Sequence, residues 1–459
     1  MIGEQVLPPT SRQVQPNVVV AVLALGGIVV SLMQTLVIPL LPELPGLLGA
    51  SKADTAWVIT ATLLASAVAT PVVGRLGDMY GKRRMLLISL VLLVLGSVVA
   101  ALSYSLVPML VARAVQGLAA GVIPLGISIM RDELPADRLG SATAMMSASL
   151  GVGGALGLPA AAFLAERSDW HVLFWTSAAL GVLVLVAVLF FVPESAVRSG
   201  GRFDLVGALG LSVALVCLLL AVSKSSELSA GTTAGLFGVA AVVLLVWGWW
   251  ELRSRQPLVD LRTTARPQVL LTNVASAIFA FAMFAMSLVL PQILQLPAAT
   301  GHGLGQSLFA TGLVLVPSGL VMMAMAPVSA RITTARGPKA TLIVGALVVA
   351  AGYGLGVFLM SAVWQLVVVS AVIGAGIGLA YGAMPALIMG AVPASETAAA
   401  NSFNTLMRAI GTSVSSAVAG AVLAHVAVPG SFHLIMALGA ATALLAGGVA
   451  AFLPGPSRR

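Results

Sequence analysis

The sequence predicts an all-α polytopic membrane protein with fourteen transmembrane helices, arranged as two six-helix bundles plus two extra helices. Three observations carry that prediction. Of 459 residues, 59% are hydrophobic and 8% charged, with a mean hydropathy of +1.08, so a water-soluble chain would lack the polar surface to cover itself. Apolar stretches of about 20 residues, long enough to cross hydrocarbon, recur from end to end. The basic residues fall in alternate connections between those stretches.

Taken in order, the apolar segments lie near 18–42, 55–73, 85–103, 107–130, 140–165, 172–192, 205–223, 233–250, 268–294, 307–330, 340–360, 364–389, 400–424 and 432–453. The first 17 residues contain one Arg and no basic run, and the apolar segment after them is too long for a signal peptide. No cleavage is expected.

With the amino terminus in the cytoplasm, 18 of the 23 lysines and arginines fall on the inner side. Only Lys52, Arg167 and Lys224 fall outside, while Arg113 and Arg408 lie within spans. A miscounted helix would invert this asymmetry downstream, so both termini are expected to be cytoplasmic. The net charge of +8 thus reads as a topology signal, and no nucleic-acid partner is expected.

Ile129-Met130 followed by Pro135-Ala136 matches Ile388-Met389 followed by Pro393-Ala394, and segment 71–81 matches 327–337. Helices 1 to 6 therefore pair with helices 9 to 14 as an internal repeat, and helices 7 and 8 are an insertion. The expected division is 1–192 for the first six-helix bundle, 193–267 for the inserted pair with its flanking loops, and 268–459 for the second bundle. Two inserted spans return the chain to the side it left, so the halves keep one orientation and face each other across a central cavity.

After helix 2 the chain reads Gly74-Arg75-Leu76-Gly77-Asp78-Met79-Tyr80-Gly81-Lys82-Arg83-Arg84. Glycines permit a tight reversal, Asp78 can sit against a helix N-terminus, and the basic run anchors the inner face. A charged turn obeying topology accounts for 82–84 but leaves the Gly/Asp spacing unexplained. This segment resembles the signature loop of the major facilitator superfamily, and the resemblance implies a conformational latch formed by Gly74, Asp78, Gly81, Lys82 and Arg83. The copy at 331–339 keeps Gly337 but has Thr334 where Asp78 would align.

Helix 4 carries Arg113-Ala114-Val115-Gln116-Gly117, similar to the family's second motif, which implies an intramembrane Arg tied to proton coupling. A guanidinium in hydrocarbon costs at least about 2.5–3.5 kcal/mol, so it must face polar groups inside the bundle; pinning helices through backbone carbonyls is the alternative role. Gly374 stands at the equivalent place in the second half. Helix 5 holds Gly151, Gly153, Gly154, Gly157 and Pro159, similar to the glycine-proline motif of antiporters, although Leu158 separates the last pair. A generic small-residue packing face explains the same residues. Helix 13 has Asn401, Asn404, Arg408 and Gly411, which resembles an element of the fourteen-helix drug:proton antiporters, and the inserted pair points to the same subfamily.

That subfamily commonly has an acid near the start of helix 1, where this chain reads Leu32-Met33-Gln34-Thr35. None of the 15 acids is placed mid-span. If protons are carried, Asp54 or Glu43 near the outer helix ends are the candidates, coupled to Arg113, with ordinary cap or loop chemistry as their alternative. A cavity holding Arg113 and Arg408 without an acid favours neutral, zwitterionic or anionic compounds over permanent cations. Met33, Gln34, Asn404, Phe284 and Met286 are candidate substrate-binding residues, although lipid-facing packing accounts for most aromatics and methionines of this kind.

His171, His302, His425 and His433 fall in or near outer loops without ligand spacing, and Cys217 is the sole cysteine. No metal, cofactor or disulfide is expected. Trp247, Trp249 and Trp250 close helix 8 as an interfacial belt. The resemblance implies a monomeric multi-pass exporter of the bacterial inner membrane, moving a drug-like or antibiotic compound by proton antiport with alternating access. A facilitator or an importer of a small metabolite remains open. A membrane-embedded enzyme would need a convergent catalytic set, and none is visible.

Overall fold

The computed structural model describes residues 15–41, 43–224, 227–298, 303–423 and 430–454. Among them no strand occurs, and fourteen long helices dominate. They are α1 Pro16–Thr35, α2 Lys52–Tyr80, α3 Lys82–Ala101, α4 Leu106–Glu133, α5 Ala136–Arg167, α6 His171–Phe191, α7 Leu205–Ser223, α8 Ala230–Arg253, α9 Pro267–Gln295, α10 Leu308–Arg336, α11 Pro338–Phe358, α12 Val363–Met389, α13 Thr397–Leu423 and α14 Ser431–Ala451. Thirteen are long and apolar enough to cross a membrane. The other, α13, is 27 residues long and carries the polar set Asn401, Asn404 and Arg408.

Helices suit this solvent because each satisfies its own backbone where no water is present. Their starts follow capping chemistry. Ser51 accepts from the Asp54 amide at 3.1 Å, Asp204 from Gly207 at 2.8 Å, Ser229 from Thr232 at 3.1 Å and Ser307 from Ala310 at 3.2 Å. The outward side chains are apolar: on α8, Leu245 is 76% and Val246 60% exposed, an arrangement that water would penalise and lipid accommodates.

Several boundaries differ from the sequence expectation. Helix 1 stops at Thr35, because Pro39 supplies no backbone donor to the Thr35 carbonyl four residues before it; a 3₁₀ turn (Ile38–Leu40) and a five-residue helix (Leu44–Leu48) follow. Helix 2 runs to Tyr80 rather than 73, so most of the expected loop is helical. The reversal is made by Gly81 alone, at φ +118°, a conformation that favours glycine. Gly337, its counterpart in the repeat, separates α10 from α11 in the same way at φ +84°. Helix 8 continues to Arg253, which brings Glu251 inside the helix and buries it to 3% exposure. Helix ends that rest on protein are not limited by the hydrocarbon thickness that guided the sequence boundaries.

The first six helices enclose one core, with Leu23, Leu86, Leu90, Leu125 and Met130 towards one end and Leu44, Met109 and Phe174 towards the other. The last six enclose a second around Phe279, Leu290, Tyr353, Ile373 and Met436. The inserted α7 and α8 pack on each other, and α7 lies over the seam between α2 and α13: Leu211, Leu215 and Trp247 share a cluster with Ala67 and Leu406.

The other seam is α5 against α10. A Cβ on Gly312 would lie 2.7 Å from the Pro159 nitrogen, and one on Gly319 would lie 2.8 Å from the Gly151 carbonyl oxygen. Backbones this close are what small residues provide where apolar burial offers no drive for helix association.

Candidate functional site

The two bundles are locked together at the end that carries Lys82, Arg83 and Arg131. There the Asp78 carboxylate, wholly buried, accepts hydrogen bonds from the backbone amides of Ala398 at 3.1 Å and Ala399 at 2.8 Å. These are first-turn amides of α13, which have no partner within their own helix. An anion at this position also meets the positive end of the helix dipole. Asp78 is in α2 of the first bundle, so it caps a helix of the second. Its approach requires Gly74: a Cβ there would lie 2.7 Å from the Ala398 carbonyl oxygen. Gly74 is thus a contact glycine inside α2, not a residue of the reversal.

Lys82 is buried rather than solvated at the surface. Its ammonium donates to Asp132 Oδ2 at 2.5 Å, lies 3.9 Å from Asp78 Oδ1, and reaches the Ala394 carbonyl at 3.5 Å. The Ser195 hydroxyl donates to the same Asp132 oxygen at 2.5 Å. Arg83 anchors the other side of the turn: its amide donates to Glu194 at 3.2 Å and its guanidinium to the Leu189 carbonyl at 2.7 Å. Gly81 leaves room for Glu194, whose Oε1 would be 2.9 Å from an added Cβ.

Arg131 is a second cross-bundle link, and one the sequence reading missed. From α4 its guanidinium donates to Thr397 Oγ1 at 2.6 Å and to the carbonyls of Val392 at 3.1 Å and Pro393 at 3.4 Å. In the sequence it registers only as one more inner-face cation. No side-chain pattern marks the link, because two of its three acceptors are backbone carbonyls.

Arg113 is buried among neutral partners. It donates to the carbonyls of Met33 in α1 and Val58 in α2, each at 3.3 Å, and to Gln116 Oε1 at 2.8 Å. Gln116 in turn donates to Ser97 at 2.9 Å. Gly117 brings α4 against α2: a Cβ would lie 2.7 Å from Ala65 Cβ. Asp54 is exposed, its carboxylate accepting from the Ser51 hydroxyl at 2.7 Å. Glu43 is exposed as well. Neither acid is among the partners of Arg113.

In the second bundle, Arg408 lies over the Tyr381 ring, 4.8 Å from its centroid, and donates to Thr405 at 3.1 Å. The face-on geometry is a cation–π contact. Arg408 Nε and the Tyr381 hydroxyl are buried without a hydrogen-bond partner among the described residues. Asn404 donates to Asn273 at 2.9 Å and Ser276 at 2.8 Å, both in α9. Tyr381 and Asn273, on helices without a recognised motif, were not singled out from sequence.

Gly153 and Gly157 face α1, where added Cβ atoms would lie 2.6 Å from Ser31 Cβ and 3.1 Å from the Leu32 carbonyl oxygen, while Pro159 faces α10. The five substrate-binding candidates lie in different surroundings. Met33 and Met286 are packed in separate cores, Gln34 is exposed, Phe284 is half-buried, and Asn404 is held by α9.

At the opposite end, Asp169 is paired with His171, whose backbone amide and imidazole hold its carboxyl below the usual carboxylate range. His171 also reaches the Ser103 carbonyl at 3.2 Å. His433 is exposed. His302 and His425 lie outside the described residues.

A family model described as Major Facilitator Superfamily matches residues 23–416 and 272–459. An uncharacterized MFS-type transporter of Mycobacterium tuberculosis is 28% identical over 91% of this chain, which spans 61% of that relative's length. Multidrug resistance protein 3 of Bacillus subtilis is 25% identical, covering 91% of this chain and 81% of its own. In three dimensions the chain resembles the human organic anion transporter MFSD10, with a TM-score of 0.66 at 17% identity over 97% of this chain and 100% of that one. It also resembles the proton:xylose symporter XylE, with a TM-score of 0.67 at 15% identity over 96% of each chain.

Proposed function

The chain belongs to the major facilitator superfamily, and from that membership we propose that it is a secondary active transporter exporting a drug-like or antibiotic compound by proton antiport. The observation that carries the reading is the Asp78 cap on α13: the bundles are joined at one end by a few buried polar contacts, which can be released and remade as whole bundles rock. With the basic residues at that end, it is the cytoplasmic end of a protein in a bacterial inner membrane, with both termini cytoplasmic. The conformation described is then closed to the cytoplasm. Curated relatives named multidrug resistance proteins support export of a drug-like solute.

Within this reading the chain acts as a monomer, divided near 192 and 267 into a first bundle, an inserted pair and a second bundle. Arg408, an intramembrane guanidinium whose hydrogen bond goes to Thr405 and not to an acid, favours neutral or anionic solutes over permanent cations. Asp54 is the first candidate to carry the proton.

The test is uphill movement in inside-out vesicles energised with a proton gradient. Accumulation abolished by an uncoupler supports antiport; robust accumulation of a quaternary ammonium dye contradicts the substrate preference. A downhill facilitator is the second reading, favoured by one observation: the hydrogen-bond partners of Arg113 and Arg408 among the described residues include no carboxylate. Movement that ends at equal concentrations, gradient or not, selects it.

A further inference from the structure

We propose that the cavity where the linker after α8 crosses the junction of α2, α9 and α13 binds a small oxyanion, phosphate or carboxylate, that carries an apolar group. We further infer that an occupant holds the two bundles latched. The cavity is about 190 Å³ and is lined from four parts of the chain: Arg75 of α2, Arg255 and Leu258 of the linker, Asn273 of α9, and Glu396 and Phe403 at α13.

Its donors are unspent. Asn273 is 2% exposed; its Oδ1 accepts from Asn404 at 2.9 Å, while its Nδ2 has no partner among the described residues. A buried amide donor without a partner, on a residue that lines a cavity, marks a place where an acceptor belongs. Arg75 and Arg255 likewise show no hydrogen bond or ion pair among the described residues. Of the two acids at the cavity, Asp260 is committed to its own turn, accepting from the Arg262 amide at 2.9 Å and from the Thr263 hydroxyl at 2.7 Å. The Arg255 guanidinium, the unpaired Asn273 amide donor and Arg75, which is shared only electrostatically with Asp78, against one free carboxylate, Glu396, select an oxyanion. Phe403, Leu258 and Val259 supply an apolar wall for its substituent.

The site is composite. Arg75 comes from the first bundle, one turn before Asp78, whereas Asn273 and Phe403 come from the second. Ala399, whose amide Asp78 holds, also lines the cavity. Opening this end parts α2 from α13 and dismantles the site, so an occupant binds the latched form selectively and shifts the population towards it. This second step rests on the rocking motion of the proposed function. Binding itself does not.

The test uses the purified full chain and hexyl phosphate as probe, titrated calorimetrically. Binding is expected in the wild type, at least tenfold weaker in Asn273→Asp, which keeps the acceptor for Asn404 but replaces the free donor, and several-fold weaker in Arg255→Gln at the exposed rim. Spin labels placed across the α2–α13 seam should report a larger latched fraction with probe. Unaltered affinity in the properly folded Arg255→Gln and Asn273→Asp proteins, or no binding to the wild type, overturns the site. Binding with an unchanged inter-bundle distance overturns the latching step alone. Reconstitution in phosphatidylglycerol rather than phosphatidylcholine discs separates the sources: probe affinity lowered only by phosphatidylglycerol assigns the site to a lipid headgroup, and equal affinity assigns it to a soluble anion. Failure of the vesicle assay with intact probe binding would reject export and leave the site standing.

Discussion

The Asp78 carboxylate of α2 and the Ala399 amide of α13 meet at 2.8 Å across the interface between bundles. The contact joins a helix of the first bundle to one of the second, and under the proposed rocking motion it must break for the cavity to open to this side. Removing the carboxylate strands two buried α13 amides and withdraws an anion from the positive end of that helix. Loss of such a cap costs about 0.5–2 kcal/mol, enough to change the latched fraction several-fold.

Asp78→Ala is therefore expected to raise the reactivity of a cysteine at Ser402, which faces Gly74 in the closed seam, towards an impermeant maleimide. Asp78→Asn keeps one acceptor and should fall between. The sole native cysteine, Cys217, is replaced by Ser in both. Equal labelling of Ser402→Cys with and without Asp78 would show that the cap does not hold the end shut.

Lys82 and Asp132 form a buried ion pair at 2.5 Å, with Lys82 fully and Asp132 almost fully covered. Removing one partner leaves an uncompensated buried charge, a loss of about 3–5 kcal/mol, whereas replacing both by apolar groups is often nearly neutral. Lys82→Met should thus lower the thermal midpoint more than Lys82→Met with Asp132→Leu. A double variant no more stable than the single would mean that the charges are supported by groups other than each other.

Gly312 approaches Pro159 so closely that a Cβ would lie 2.7 Å from its backbone nitrogen, while a Cβ on Gly140 meets Ala330 at an ordinary 3.9 Å. Gly312→Val must push α10 from α5, with an overpacking cost of about 1–3 kcal/mol, and should reduce both folded yield and transport. Gly140→Ala, on the same seam, should be tolerated. Similar melting temperatures for the two variants in detergent would argue that the seam is looser than the geometry indicates.

The fourteen spans and the Gly-Asp-Gly segment were readable from sequence because each is local: a run of apolar residues, or glycines and an acid within one turn. The partner of Asp78 was not. Ala398 lies 320 residues away in sequence, and a backbone amide carries no side-chain signature. Arg131 was hidden for the same reason, since its acceptors are mostly carbonyls. The reading also placed Asp78, Asp132 and Glu251 in loops, because span length was set by hydrocarbon thickness; all three sit buried in helices prolonged by contact with protein. Met33 and Met286 show the limit for substrate contacts, as methionine on a helix face looks the same whether it packs inwards or lines a cavity.

The two intramembrane arginines differ in a way that separates folding from transport. Arg113 donates to two backbone carbonyls and to Gln116, joining α1, α2 and α4. Truncating it leaves the Gln116 side-chain oxygen and the Met33 carbonyl without that donor, at about 1–3 kcal/mol each, while the Val58 carbonyl keeps the Thr62 hydroxyl at 3.3 Å. Arg408 has one side-chain acceptor, Thr405, stacks on Tyr381, and keeps a buried Nε without a partner. Its own contacts therefore return less for the cost of burying a guanidinium. Arg113→Ala should accordingly cut folded yield and thermal stability, with transport lost in proportion to protein lost. Arg408→Gln should remain folded and stable yet lose most uptake of an anionic solute in vesicles, while a neutral analogue of the same shape is carried nearly as well. Size-exclusion profiles, melting curves and paired transport assays on both variants decide the matter. Stable, well-folded Arg113→Ala, or equal loss of anionic and neutral transport in Arg408→Gln, would reverse the assignment.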